Sequence, residues 1–202
     1  MRFLTFFAVF LLIPSMGLSA TLYVPGSFPT IQDAIDAAQN GDRIIVSAGT
    51  YVENIDFQGL AIRIQSAAGP DLTFIDGNQT GSVVTFASGE DSESQLEGFS
   101  IFNGSGTFLG APFNDFCGGG IFCDGSSPTL KNNIIYSCTS SYGAGLFCTN
   151  SADADVLGNT IFGNSATVGA GIFCRYSSPL IFDNRIAGNS AEHGGGVYAE
   201  RD

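Results

Sequence analysis

A unit of about 25 residues is written three times between Gly118 and Tyr198, and a fourth copy is cut short. No other feature of the chain limits its possible folds as much. The copies open Gly-Gly-Gly-Ile-Phe-Cys (118–123), Gly-Ala-Gly-Leu-Phe-Cys (143–148), Gly-Ala-Gly-Ile-Phe-Cys (169–174) and Gly-Gly-Gly-Val-Tyr-Ala (194–199). Their first glycines are 25, 26 and 25 residues apart. A constant period of this size marks stacked supersecondary units, each of which buries its apolar face only against its neighbours.

Aligned on that period, the residues fall into columns. One is aliphatic: Ile121, Leu146, Ile172 and Val197. Two residues on comes a small one: Cys123, Cys148, Cys174 and Ala199. Residues i and i+2 share a face of a strand, which places both columns inside. The intervening column, Phe122, Phe147, Phe173 and Tyr198, then points outward as an aromatic ladder. Flat aromatic faces suit sugar rings, and an exposed apolar strip marks an interaction surface. The opposite assignment, with Phe inward, gives an ordinary core stack. Two further aliphatic sets, Leu130/Val156/Ile181 and Ile135/Ile161/Ile186, mark two more short strands per unit. Three strands of three to five residues in each unit leave no room for hairpins and helices. The expected fold is all-β: a solenoid with three short strands per coil, each paired in parallel with its copy one coil away.

Asparagine fills two other columns, Asn133/Asn159/Asn184 and Asn164/Asn189, with Cys138 in the second column of the first copy. Stacked at the inter-strand spacing, identical amides hydrogen-bond along the axis, so these residues are read as structural turn ladders. The Cys123/Cys148/Cys174 column sits at a spacing that permits disulfides. A stack of buried thiols fills a core equally well and is the reading adopted, because the cysteine count, five, is odd. One histidine and no C-x-x-C speak against zinc.

These repeats, with their Ser-Ser-Pro and Asn-x-Ile-x-x-Asn words, resemble the right-handed parallel β-helix of the pectin-lyase-like superfamily, in particular its exported bacterial members. Polymorphic outer-membrane proteins share a fainter likeness in their Gly-Gly-Ala-Ile repeats. The words Thr30-Ile-Gln and Gly41-Asp-Arg-Ile, followed by Gly49-Thr-Tyr-Val-Glu-Asn, look like the opening coil of pectin methylesterases. The resemblance implies a fold rather than one activity. A lyase of this type needs a Ca²⁺ cage beside an Arg or Lys base, for which the repeats offer Lys131, Arg175 and Arg185; only under that reading is Ca²⁺ expected, and otherwise no cofactor. A methylesterase needs an Asp-Phe-Ile-Phe-Gly word, but Asp115-Phe116 runs into Cys-Gly-Gly. A galacturonase-like hydrolase needs paired aspartates and Gly-His-Gly. Asp153 and Asp155 are read as a surface turn, and His193, in Glu-His-Gly-Gly, as a solvated turn residue. No catalytic residue is assigned.

Residues 1–20 read as a secretory signal peptide: Arg2, an apolar run from Phe3 to Ile13, and Leu18-Ser-Ala20 before the cut. The expected location is therefore secreted or cell-surface, with no transmembrane span after cleavage. Residues 21–41 form a capping segment, with a helix over about 30–40: Thr30 and Asp33 make a capping box, and Ile31, Ala34, Ile35 and Ala38 form one stripe. Residues 42–202 are the β-helix. Within it, Ile75-Asp-Gly-Asn78 matches the later Ile-x-Gly-Asn words, residues 89–97 read as a solvated acidic turn, and residues 104–116 as a loop standing out from a corner. The chain stops one strand into a repeat, so further C-terminal coils or another chain are expected at the open end.

The net charge of −12 excludes nucleic acid as a partner and disfavours unaided binding of acidic polymers. The expected role is an exported non-catalytic scaffold or binding module that contacts polysaccharide at the cell surface. The alternative is a polysaccharide-active lyase or glycoside hydrolase.

Overall fold

The computed structural model describes residues 19–200. All of the signal-peptide stretch except Ser19 and Ala20 lies outside the described residues, as does the end of the last repeat at Arg201 and Asp202. The chain winds into a parallel β-solenoid with three long sheets. The first holds seven strands, Thr21–Val24, Arg43–Val46, Arg63–Ser66, Gln95–Glu97, Thr129–Lys131, Asp155–Leu157 and Leu180–Phe182. The second holds six, Gly49–Val52, Thr73–Asp76, Ser100–Phe102, Ile134–Tyr136, Thr160–Phe162 and Arg185–Ala187. The third also holds six, Ile55–Asp56, Val84–Phe86, Ile121–Asp124, Leu146–Thr149, Ile172–Arg175 and Val197–Glu200.

Register is in step with the sequence period. Ile121, Leu146, Ile172 and Val197 are consecutive partners, as are Cys123, Cys148, Cys174 and Ala199. A slip of one residue would turn every inward side chain to solvent, so the buried columns hold the coils in register. In the earlier coils Phe57 and Phe86, 4.3 Å apart, occupy the place that cysteine takes later; Phe86 pairs with Cys123 in register. The core thus changes from aromatic to thiol filling along the axis while remaining closed.

The helix α1 (Ile31–Ala37) is shorter than expected, because Ala38 turns to extended geometry (ψ 161°) and donates its N–H back to Ile35 O. Thr30 caps it, accepting from Asp33 N–H, and Glu53 from the first coil adds both carboxylate oxygens to the N–H groups of Ile31 and Gln32. Its buried stripe, Ile31, Ala34 and Ile35, joins the solenoid core and keeps water from the core's first turn.

Two local expectations are corrected. Residues 104–116 do not stand clear as a loop; strands Thr107–Leu109 and Asp115–Cys117 form an antiparallel hairpin, which folds onto the third sheet. The 89–97 turn is not simply solvated. Glu90 is 3 % exposed and accepts from Gly59 N–H, Ser88 N–H and the Ser126 hydroxyl, which ties adjacent coils together. Asn78 is exposed and its backbone bonds to its neighbour Asp76, so the matching Ile-x-Gly-Asn word does not carry it into a ladder. A fourth short ladder, unforeseen, pairs Ser165–Val168 with Ser190–His193 and continues back through bridges to Tyr142 and Cys117.

Candidate functional site

The column Phe122, Phe147, Phe173 and Tyr198 leaves the solenoid core, as strand alternation requires, yet its three phenylalanines do not meet solvent, and Tyr198 at the end of the stack is half-buried. Its rings stack at 5.5, 5.3 and 5.6 Å with nearly parallel planes, while Phe122, Phe147 and Phe173 are 3 %, 0 % and 0 % exposed. Cys117, Tyr142 and Val168 from the fourth ladder pack against them together with Leu109 and Phe113 of the hairpin. Phe113 meets Phe147 edge-on at 5.1 Å. For Phe122, Phe147 and Phe173 the expected exposed strip is therefore corrected to a second, smaller core, with only Tyr198 partly reaching solvent.

Arg175 belongs to the hairpin contact. Its guanidinium lies over the Phe113 ring at 5.4 Å and the Tyr176 ring at 5.1 Å, with Glu200 at 3.9 Å. Leu109, Pro112, Phe113, Thr149 and Asn150 join it around a cavity of about 150 Å³. A cation held between two ring faces in a partly dry site is a favourable contact of about 1–2 kcal/mol, so Arg175 ties the hairpin to the third sheet. The other basic candidates are elsewhere. Lys131 pairs with Glu97 at 3.4 Å on the first sheet, and Arg185 is exposed on the second. Lys131, Arg175 and Arg185 thus lie on three different sheets, so at most one of them could serve any single site.

The acidic candidates lie two residues apart at the entry to a strand of the first sheet. Asp153 accepts from Ser178 N–H in a turn between coils, and Asp155 opens the strand Asp155–Leu157. His193 is exposed but lies in the strand Ser190–His193 rather than a turn, in register with Val168. Among the described residues no group of three His, Cys, Asp or Glu side chains could hold a metal ion.

The asparagine columns run from coil to coil. Asn159 Oδ1 accepts from the backbone N–H of Asn133 at 2.9 Å and from its side-chain amide at 3.2 Å. Asn184 Oδ1 does the same for Asn159 at 2.7 and 3.1 Å. Asn189 serves Asn164 at 3.0 Å for both groups, and Asn164 Oδ1 accepts from the N–H of Cys138. Cys138 ends this second ladder because a thiol cannot pass the pattern on.

Cys117, Cys123, Cys138, Cys148 and Cys174 are all buried free thiols. Burial pushes the Cys117 and Cys138 thiols up to about 12. Contact with neighbouring cysteines, followed by burial, raises those of Cys148 and Cys174. Thiolate is the reactive form. A chromogenic thiol reagent at pH 8 is therefore expected to label none of the five within minutes in the folded protein and all five in guanidinium. A count of three or one after unfolding would show disulfides in place of the stack.

A different aromatic column reaches solvent. Phe102, Tyr136 and Phe162 are register partners on the outer face of the second sheet and stack at 5.2 and 5.4 Å, both at 6° between planes. Phe74 meets Phe102 edge-on at 6.5 Å. Phe162 is 39 % exposed. Its partner on the following coil is Ala187, a side chain too short to cover the ring, and Thr160 and Arg185 share the same outward face. The signal was present in the sequence: each of these rings follows an inward isoleucine, Ile101, Ile135 or Ile161, by one residue.

The description "Right handed beta helix region" fits residues 32–201, which match that family's model. No curated protein and no solved structure matches the chain. Among the described residues no helix is long and apolar enough to cross a membrane.

Proposed function

Because the chain belongs to the right-handed beta helix family, we propose that it is an exported, non-catalytic scaffold that holds carbohydrate on the outer face of its second sheet. One observation carries the reading: Phe162 shows solvent a ring face that Ala187 leaves open, on a strand fixed by parallel pairing on both sides. The C–H face of a sugar packs on such a ring, and Thr160 and Arg185 stand beside it to take hydroxyl groups. The inner rings of the stack, Tyr136 and Phe102, hold Phe162 in place and show mainly their edges. A rigid site needs no ordering on binding, which lowers the entropic cost of a weak contact.

A polysaccharide panel tests the reading. Retention without release of reducing or unsaturated sugars is expected, and Phe162→Ala is expected to weaken it about tenfold, the loss of one ring contact of about 1.4 kcal/mol, with the melting temperature nearly unchanged. Turnover of any polysaccharide would establish the lyase or hydrolase alternative. Equal retention by Phe162→Ala would remove this face from the site.

A further inference from the structure

Ala20 is the first residue held by the sheet system. Its N–H donates to Asp42 Oδ1 at 2.7 Å, and its carbonyl accepts from Arg43 N–H at 2.9 Å. Asp42 is 7 % exposed, and its other oxygen accepts from Gln39 N–H at 2.9 Å. A nearly buried carboxylate is thus aimed at the backbone nitrogen of Ala20. Ser19, one residue earlier, makes a hydrogen bond from its hydroxyl to Gly41 O, among exposed groups.

We infer that the leader is removed between Ser19 and Ala20, so that the α-ammonium of Ala20 becomes a permanent partner of the Asp42 carboxylate. The inference rests on the export reading above. It moves the cut one residue upstream of the position after Ala20. In the reaction, water adds across the Ser19–Ala20 amide under a signal peptidase: the leader leaves with a carboxylate on Ser19, and Ala20 keeps the nitrogen as an ammonium. Signal peptidases favour small residues flanking one intervening position before the cut, and Gly17-Leu-Ser19 supplies them at both places, whereas Leu18-Ser-Ala20 has leucine at the first.

The two cuts leave different proteins. A cut after Ala20 removes both of its sheet contacts and leaves the nearly buried Asp42 carboxylate with Gln39 N–H but without its Oδ1 donor, and an underpaired buried carboxylate is costly. A cut before Ala20 loses only the exposed Ser19 contact and converts a neutral hydrogen bond into a charged one, the stronger kind. The corner has room for the added protons, because a cavity of about 270 Å³ lined by Ser19, Asp42, Arg43, Arg63 and Glu93 adjoins it. The nearby positive charge of Arg63 is offset by Glu93 at 3.2 Å.

Expression of the full chain in a host with a general secretion pathway, followed by intact mass and amino-terminal sequencing of the exported product, tests this. Ala20 as the first residue is expected. Thr21 or any other start overturns the inference while leaving export intact. A product that retains Met1 and stays inside the cell overturns the export reading itself. As a second readout, protein that starts at Ala20 is expected to melt about 4 °C above the same protein with Nα-acetylated Ala20. Asp42→Asn should abolish that difference, and a difference that persists in Asp42→Asn would mean the charge has no partner at Asp42.

Discussion

Gly145→Ala is expected to cost more than about 4 kcal/mol and to yield little folded protein. A Cβ on Gly145 would lie 2.5 Å from Gly171 O on the next coil and 2.8 Å from Ile161 Cγ2 within its own. Neither atom can retreat freely. Gly171 O accepts from Leu146 N–H at 3.0 Å, and Ile161 is fully buried. The clash therefore pushes on a ladder bond and on the core together. Gly120, the equivalent residue one coil earlier, has the same geometry, with Gly145 O at 2.7 Å. The repeated glycine thus reflects the close approach of coils rather than a special backbone angle. Gly110→Ala, on the hairpin, supplies the control: nothing lies within 4 Å of its added Cβ, and a change within about 0.5 kcal/mol is expected. Denaturant midpoints of the three proteins measure both effects. A Gly145→Ala protein with a wild-type midpoint would mean the coils do not stack this closely.

Asn159→Ala is expected to destabilise by about 4 kcal/mol, or to lower the melting temperature by about 12 °C. The side chain accepts from Asn133 N–H and donates to Leu130 O at 2.9 Å, all in buried surroundings. Truncation leaves that donor and that acceptor unpaired where water does not reach, and each such group costs about 1–3 kcal/mol. Asn159→Asp probes the ladder differently. It keeps the acceptor for Asn133 but loses the donor and sets a negative charge against Asn184 Oδ1, which the amide now meets at 3.1 Å. Its loss should equal or exceed that of Asn159→Ala. Asn132→Gly is the comparison, since Asn132 is exposed, holds a positive φ of 53° that glycine tolerates, and turns its amide to Glu97 at 3.3 Å; a loss below about 1 kcal/mol is expected there. Equal losses at Asn132 and Asn159 would mean the amide ladder contributes nothing beyond its exposed neighbours.

The coil architecture was legible because its determinants are local and repeated. Strand alternation fixes which of Ile121, Phe122 and Cys123 share a face, and a constant period fixes which residues become neighbours along the axis. The inward aliphatic columns, the thiol queue and the two asparagine columns all follow from those two rules. The candidate site was legible only in part. Phe102, Tyr136 and Phe162 sit at one position of the period, yet no local rule separates their column from the Phe122 column.

The sequence by itself determined the solenoid, its register and which columns share a face. Only the tertiary structure decided which outward column stays wet. Residues 107–117 fold as a hairpin across the Phe122, Phe147 and Phe173 rings and, with Tyr142, Val168 and the Arg175 clamp, remove them from water, while the Phe102, Tyr136 and Phe162 column keeps an open end at Phe162. The physical reason is that direction is set by a residue's own strand, whereas exposure depends on what a separate segment of the chain places on top of it.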